Sequence, residues 1–126
     1  MTSIARRRIA LSIMAVLAVA PGLCLADPSP SAAREIDLLI QRVASMTTRT
    51  FVRNGSESKS DEAGRHLRDK YKYFRSEIRT AEDFIRLCGT RSEMTKQPYL
   101  VKAGSTVRPS ADVLAEELRQ IRQPKR

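Results

Sequence analysis

The chemistry open to this chain centres on its single histidine, His66. Glu62 lies four residues before it and Asp69 three after, so on a helix the three are neighbours, with Lys70 and Tyr73 alongside. Such a histidine suits proton transfer or, with either carboxylate, metal ligation. A closed zinc site takes about four ligands and an open catalytic one about three. With no second histidine to complete either set, no metal and no other cofactor is expected. Nucleophilic catalysis needs a nucleophile, a base within hydrogen-bond reach and a group that orients the base. Cys88 is spaced from Phe84 so as to share its buried helix face, close to a helix C-terminus where the dipole disfavours a thiolate. Ser56, Ser58 and Ser60 lie near His66 without a nucleophile-elbow pattern, in positions natural for turns and caps. His66 therefore reads as a helix-surface residue in a local ion network, or half-buried against the neighbouring hairpin, and no catalytic residue is assigned.

Phosphate-cradling chemistry has no support, because the five glycines are scattered and none forms a glycine-rich loop feeding a helix. A different constellation is available if two predicted hairpins share one sheet packed on the second helix. Arg53, Lys70 and Tyr99 would then meet in a small cationic pocket suited to a carboxylate or phosphate.

The elements that would position these groups follow from spacing and turn chemistry. Ser31 is placed to cap a helix running to about Met46, with Ile36, Leu39, Ile40 and Val43 in one apolar stripe and residues 27–30 as a flexible leader. TTRTFVRNGSES reads as a hairpin whose Asn54-Gly55 pair suits a type I′ turn. Ser60 is placed to cap a second helix, with Ala63, Leu67, Tyr71, Phe74 and Ile78 on one face. TAED, with a hydroxyl at Thr80 and an acid three residues on, opens a short third helix that buries Phe84, Ile85 and Cys88 and ends at a Gly89 C-cap. After a polar loop over 90–97, PYLVKAGSTVRP supplies two small strands around Ala103, Gly104 and Ser105. Ser110 then caps a last helix carrying Val113, Leu114, Leu118 and Ile121, and residues 123–126 fray. The order helix, β-hairpin, two helices, β-hairpin, helix predicts a small single α+β domain over 31–122.

The first 26 residues are expected to leave. MTSIARRRIA is basic without an acid, LSIMAVLAVA is a short apolar run, and the small residues Cys24 and Ala26 stand three and one places before a cut between Ala26 and Asp27. Pro21 and Gly22 interrupt that run before it reaches the ~20 residues a membrane span needs. A lipoprotein signal would place a small residue before Cys24, where Leu23 stands, and the arginine triplet leaves both the general secretory and the twin-arginine routes open. Removal takes three of 23 basic residues and none of the 14 acids, leaving 20 against 14, a net charge of +6 on a 100-residue domain with one cysteine, Cys88, and no internal disulfide. A basic exported domain can meet anionic lipid, acidic glycan or acidic protein rather than nucleic acid, but the acids interspersed among the basic residues favour plain solubility as the reason for the charge.

With FVRNG, AGRHL, TAEDFI and QPYLV in that order, the chain resembles the YfeK-like family of small exported bacterial proteins from about Glu35 to Leu118. The matching positions are Phe51, Arg53, Asn54 and Gly55; Ala63, His66, Leu67 and Lys70; Thr80, Ala81, Glu82, Phe84 and Ile85; and Pro98 and Tyr99. The run MTKQP departs from a family tendency to place serine and glycine before that proline. The resemblance implies periplasmic export and one shared fold, carries no established activity, and draws Arg53, Asn54, His66, Lys70, Glu82 and Tyr99 together as one structural or binding cluster. The expected function is that of a non-catalytic periplasmic binding or accessory domain, with Arg53, Asn54, His66, Lys70 and Tyr99 contacting an envelope protein or an anionic envelope component. The alternatives are a small hydrolase or transferase centred on His66, and a basic domain held on an anionic membrane surface.

Overall fold

The computed structural model describes residues 27–125. The expected signal segment and Cys24 lie outside the described residues. Helix α1 spans Pro30–Ala44, strands β1 and β2 span Thr50–Arg53 and Ser56–Ser58, α2 spans Ser60–Phe74, and a 3₁₀ turn follows over Arg75–Glu77. The short α3 covers Ala81–Cys88, β3 and β4 cover Leu100–Ala103 and Thr106–Pro109, and α4 covers Ser110–Arg122. The chain is thus a small single α+β domain in the expected element order. No helix among the described residues is long and apolar enough to cross a membrane.

The two hairpins merge into one antiparallel sheet of order β2-β1-β3-β4, so the seam that joins them is β1 against β3. Phe51 sits directly opposite Val101 across that seam, and both side chains are buried in the core. Ile36, Leu39, Ile40 and Val43 of α1 meet Ala63, Leu67, Tyr71 and Phe74 of α2, while Phe84 and Cys88 of α3 and Val113, Leu114 and Leu118 of α4 close the cluster. The period-3.6 stripes read from the sequence are therefore the faces that are buried.

Asn54 and Gly55 take positive φ values of 52° and 77°, the backbone that a type I′ turn between twisted strands requires. Thr80 accepts a hydrogen bond from the Asp83 N–H at 3.1 Å while the Asp83 carboxylate accepts from the Thr80 N–H at 3.2 Å, completing a capping box.

Several helix boundaries differ from expectation, each for a local reason. Ser29, not Ser31, caps α1: its Oγ accepts from the Ala32 N–H at 3.2 Å, and Pro30, which has no N–H to satisfy, takes the first helical position. Ser60 and Ser110 are buried first residues of their helices, and the caps are Lys59 and Pro109, neither of which makes a side-chain cap bond. Strand leads almost directly into helix at both points, so the extended residue at the strand end becomes the cap, and the Ser110 N–H is already donated to the Tyr99 carbonyl at 2.8 Å. Ile78 lies beyond α2 in extended backbone, carried into the core by the 3₁₀ turn. Gly89 follows α3 with φ of −109°, so the helix does not end in a left-handed cap. Its missing side chain answers to packing instead, because a Cβ there would lie 2.3 Å from Leu114 Cδ1. Residues 27–30 are also less free than a flexible leader, since Pro28 is buried and Asp27 accepts from Arg75 Nε at 3.3 Å.

Candidate functional site

Merging the hairpins brings the end of β1, the middle of α2 and the start of β3 to one place. Arg53 shares a sheet face with buried Phe51 and reaches across to His66 on α2. Tyr99 is held by its own backbone, its N–H donating to the Thr90 carbonyl at 2.9 Å and its carbonyl accepting from Ser110. Its ring is buried and meets the His66 imidazole edge to face with centroids 5.6 Å apart.

Arg53 Nη1 approaches both His66 ring nitrogens, Nδ1 most closely and Nε2 at 3.2 Å, and the nearer contact sets the assignment. Arg53 has donors only, so its Nη1, bonded to His66 Nδ1, requires a lone pair on that nitrogen. The other ring nitrogen, Nε2, then carries the proton and donates to Tyr99 Oη at 3.1 Å. Lys70 Nζ donates to the same Tyr99 oxygen at 3.3 Å and to the Arg91 carbonyl at 3.0 Å, and sits 5.0 Å from the Tyr99 ring centroid. With both lone pairs of Tyr99 Oη engaged, its own O–H is free to donate into the cleft in front.

The electrostatics agree with a neutral imidazole. Burial first, then the Arg53 and Lys70 charges, hold His66 down at about 4 against an ordinary 6.5, with Asp69 partly opposing. Burial also lowers Lys70 and raises Tyr99 from their ordinary values. Among the described residues neither Arg53 nor Lys70 is paired with a carboxylate.

In front of the cluster lies an open cleft of about 450 Å³ whose walls include Lys70 and Tyr73 from α2, Tyr99, and Ser92, Glu93 and Met94 from the 90–98 loop. Behind it, between α2 and the sheet, is a void of only about 40 Å³, enough for water but not for a ligand side chain. The loop is shaped by a left-handed Lys96 with φ of 61°, by Ser92 Oγ accepting from the Thr95 N–H at 3.4 Å, and by the Ser92 N–H donating to the Gln97 carbonyl at 3.0 Å.

Of the predicted site residues, Arg53, His66, Lys70 and Tyr99 come together. Asn54 borders the cleft but bonds elsewhere: its Oδ1 accepts from Thr95 Oγ1 at 2.5 Å and ties the hairpin turn to the loop. Glu82, drawn into the cluster by the family resemblance, is on α3 and pairs with Arg122, which also bonds Glu35 at 2.7 Å and so clamps α4 to α1 and α3. Met94, Glu93, Thr95 and Arg91 were not singled out from the sequence; the one available signal was the hydroxyl spacing of Ser92 and Thr95, which suits a side-chain-stabilised turn. Cys88 is fully buried, and burial pushes its thiol up to about 12, so it offers no nucleophile. Among the described residues no three His, Cys, Asp or Glu side chains are grouped to hold a metal ion.

A helix, a hairpin and a loop thus wall a cationic, phenol-bearing cleft on a small α+β scaffold. The chain belongs to the family of unknown function DUF5329, whose match covers residues 30–122. It is also similar to Uncharacterized protein YfeK of Salmonella typhimurium, at 33% identity over 93 residues, which is 74% of this chain and 76% of that protein. The chain is thus YfeK-like, as its sequence suggested. No solved structure matches the chain.

Proposed function

We propose that the chain is a non-catalytic binding or accessory domain of the periplasm whose cleft receives an anionic group of its partner. The observation that carries this reading is the convergence of Arg53, Lys70 and the free Tyr99 O–H at one cleft with no carboxylate paired to either cation. The arrangement also argues against the hydrolase alternative. His66 Nδ1, the nitrogen a general base would use, is occupied by Arg53, no carboxylate is bonded to the ring to orient it, and the one described thiol is sealed in the core.

Export is tested by fractionating cells and sequencing the mature N-terminus, which should begin at Asp27; a full-length chain retained in the cytosol overturns it. The binding role is tested by purifying the chain with its captured envelope components and comparing it with Arg53→Gln. Loss of capture with an unchanged circular dichroism spectrum supports the reading, and equal capture by both chains defeats it.

A further inference from the structure

The cleft is not uniformly cationic. Asp69 lies in its wall, adjacent in sequence to Lys70, and pairs with no cation among the described residues. Glu93 stands on the opposite loop, bonded to Lys96 at 3.4 Å. A polyanion entering here would satisfy Arg53 and Lys70 but meet both carboxylates, and like charges brought together cost several kcal/mol. A lone monoanion would use only the cationic side of the wall and leave Asp69 to solvent. The outer wall is apolar: Met94 is 92% exposed and Tyr73 80% exposed, and Tyr73 packs edge to face on Phe74 with centroids 4.8 Å apart. Two large apolar groups exposed together at a cleft mouth are unusual on a surface otherwise rich in charge. The volume of about 450 Å³ is within the range of small-molecule sites, and the water-sized void behind the cluster prevents a ligand side chain from burying inward.

Resting on the anion-binding reading above, we propose that the cleft takes a zwitterion of amino-acid to dipeptide size bearing an apolar side chain. Its carboxylate lies against Arg53, Lys70 and the Tyr99 O–H, its ammonium against Asp69, and its side chain on Tyr73 and Met94. The opposite charges of the wall read the two ends of the ligand, and the apolar rim selects what hangs between them.

The test is titration of the purified mature chain by calorimetry and amide-shift NMR with Leu-Leu, its N-acetylated form, its C-terminal amide, inorganic phosphate and phosphatidylglycerol vesicles. Leu-Leu should bind; blocking its carboxylate, which faces half-buried Lys70, should weaken it about ten-fold or more, and blocking its ammonium, which faces exposed Asp69, about two- to five-fold. Asp69→Asn, at an exposed position, should abolish the difference between free and N-acetylated dipeptide, whereas Arg53→Gln should weaken both. Equal binding of the N-acetylated and free forms overturns the zwitterion. Binding of phosphate or vesicles in preference to Leu-Leu, lost in Arg53→Gln, overturns it too while leaving the anion-binding reading standing. No binding of any probe at millimolar concentration overturns both.

Discussion

The protonation state of His66 makes the cluster accountable to a stability measurement. In the folded chain the imidazole sits at about 4 because burial and the nearby Arg53 and Lys70 charges disfavour its cation, with Asp69 only partly opposing. Once unfolded it returns to about 6.5. The unfolded chain therefore binds more protons at this residue between pH 4 and 6.5, so the stability tied to His66 is full above 6.5 and is lost as the pH falls toward 4. At about 1.36 kcal/mol per pH unit the full difference would be roughly 3.4 kcal/mol. His66 is only half-buried, and solvent screening cuts this to about 1.5 kcal/mol. Urea unfolding of the parent chain and of His66→Gln at pH 7 and at pH 4.5 isolates the effect. Carboxylates such as Glu82 and Asp83, held low by their hydrogen bonds, also destabilise the fold in acid, but they are common to both chains and cancel. The parent should lose about 1 to 1.5 kcal/mol more than the variant between the two pH values. Identical losses, or an NMR titration placing His66 at or above 6.5, would refute the reading that burial and the Arg53 and Lys70 charges disfavour its cation.

Three further outcomes are expected. Gly89→Ala should destabilise the fold by about 1–3 kcal/mol in urea, because its new methyl would meet Leu114 Cδ1 at 2.3 Å within a packed core. Lys96→Gly should raise stability by about 0.5 kcal/mol, since relief of the left-handed lysine outweighs the added freedom of glycine in the unfolded chain. Asn54→Gly keeps a residue that tolerates the φ of 52° but removes the acceptor for Thr95, so hydrogen exchange should quicken across the 90–98 loop while the β1–β2 hairpin stays protected.

Element order was legible because three independent signals agreed: apolar spacing in the helices, Asn54-Gly55 at a turn, and hydroxyl and acid at the start of α3. Boundaries were less so. A serine near a helix start reads as a cap, yet Ser60 and Ser110 fall one residue late because the strands lead straight into their helices. Gly89 suited a C-cap on local grounds, while its real constraint comes from Leu114, 25 residues further along. The proximity of Arg53, Lys70 and Tyr99 was legible because it depended on one tertiary assumption, that the hairpins share a sheet. The other wall of the site was not, because Met94 and Glu93 are placed by a left-handed Lys96 and a tether to Asn54, neither of which has a compositional trace. Glu82 illustrates the limit of motif order, since its true partner, Arg122, is 40 residues away on α4.

The β1–β3 seam has one more implication. Arg53 belongs to one side of it and Tyr99 to the entry of the other, so no fragment lacking either hairpin can bring these two side chains together. Occupancy and folding are consequently linked by mass action: a compound that engages the cleft must raise the melting midpoint, by about 2.7 kcal/mol of added stability at a hundredfold excess over its dissociation constant. Thermal-shift measurement with zwitterionic and anionic probes thus tests the proposed occupancy without any assay of activity.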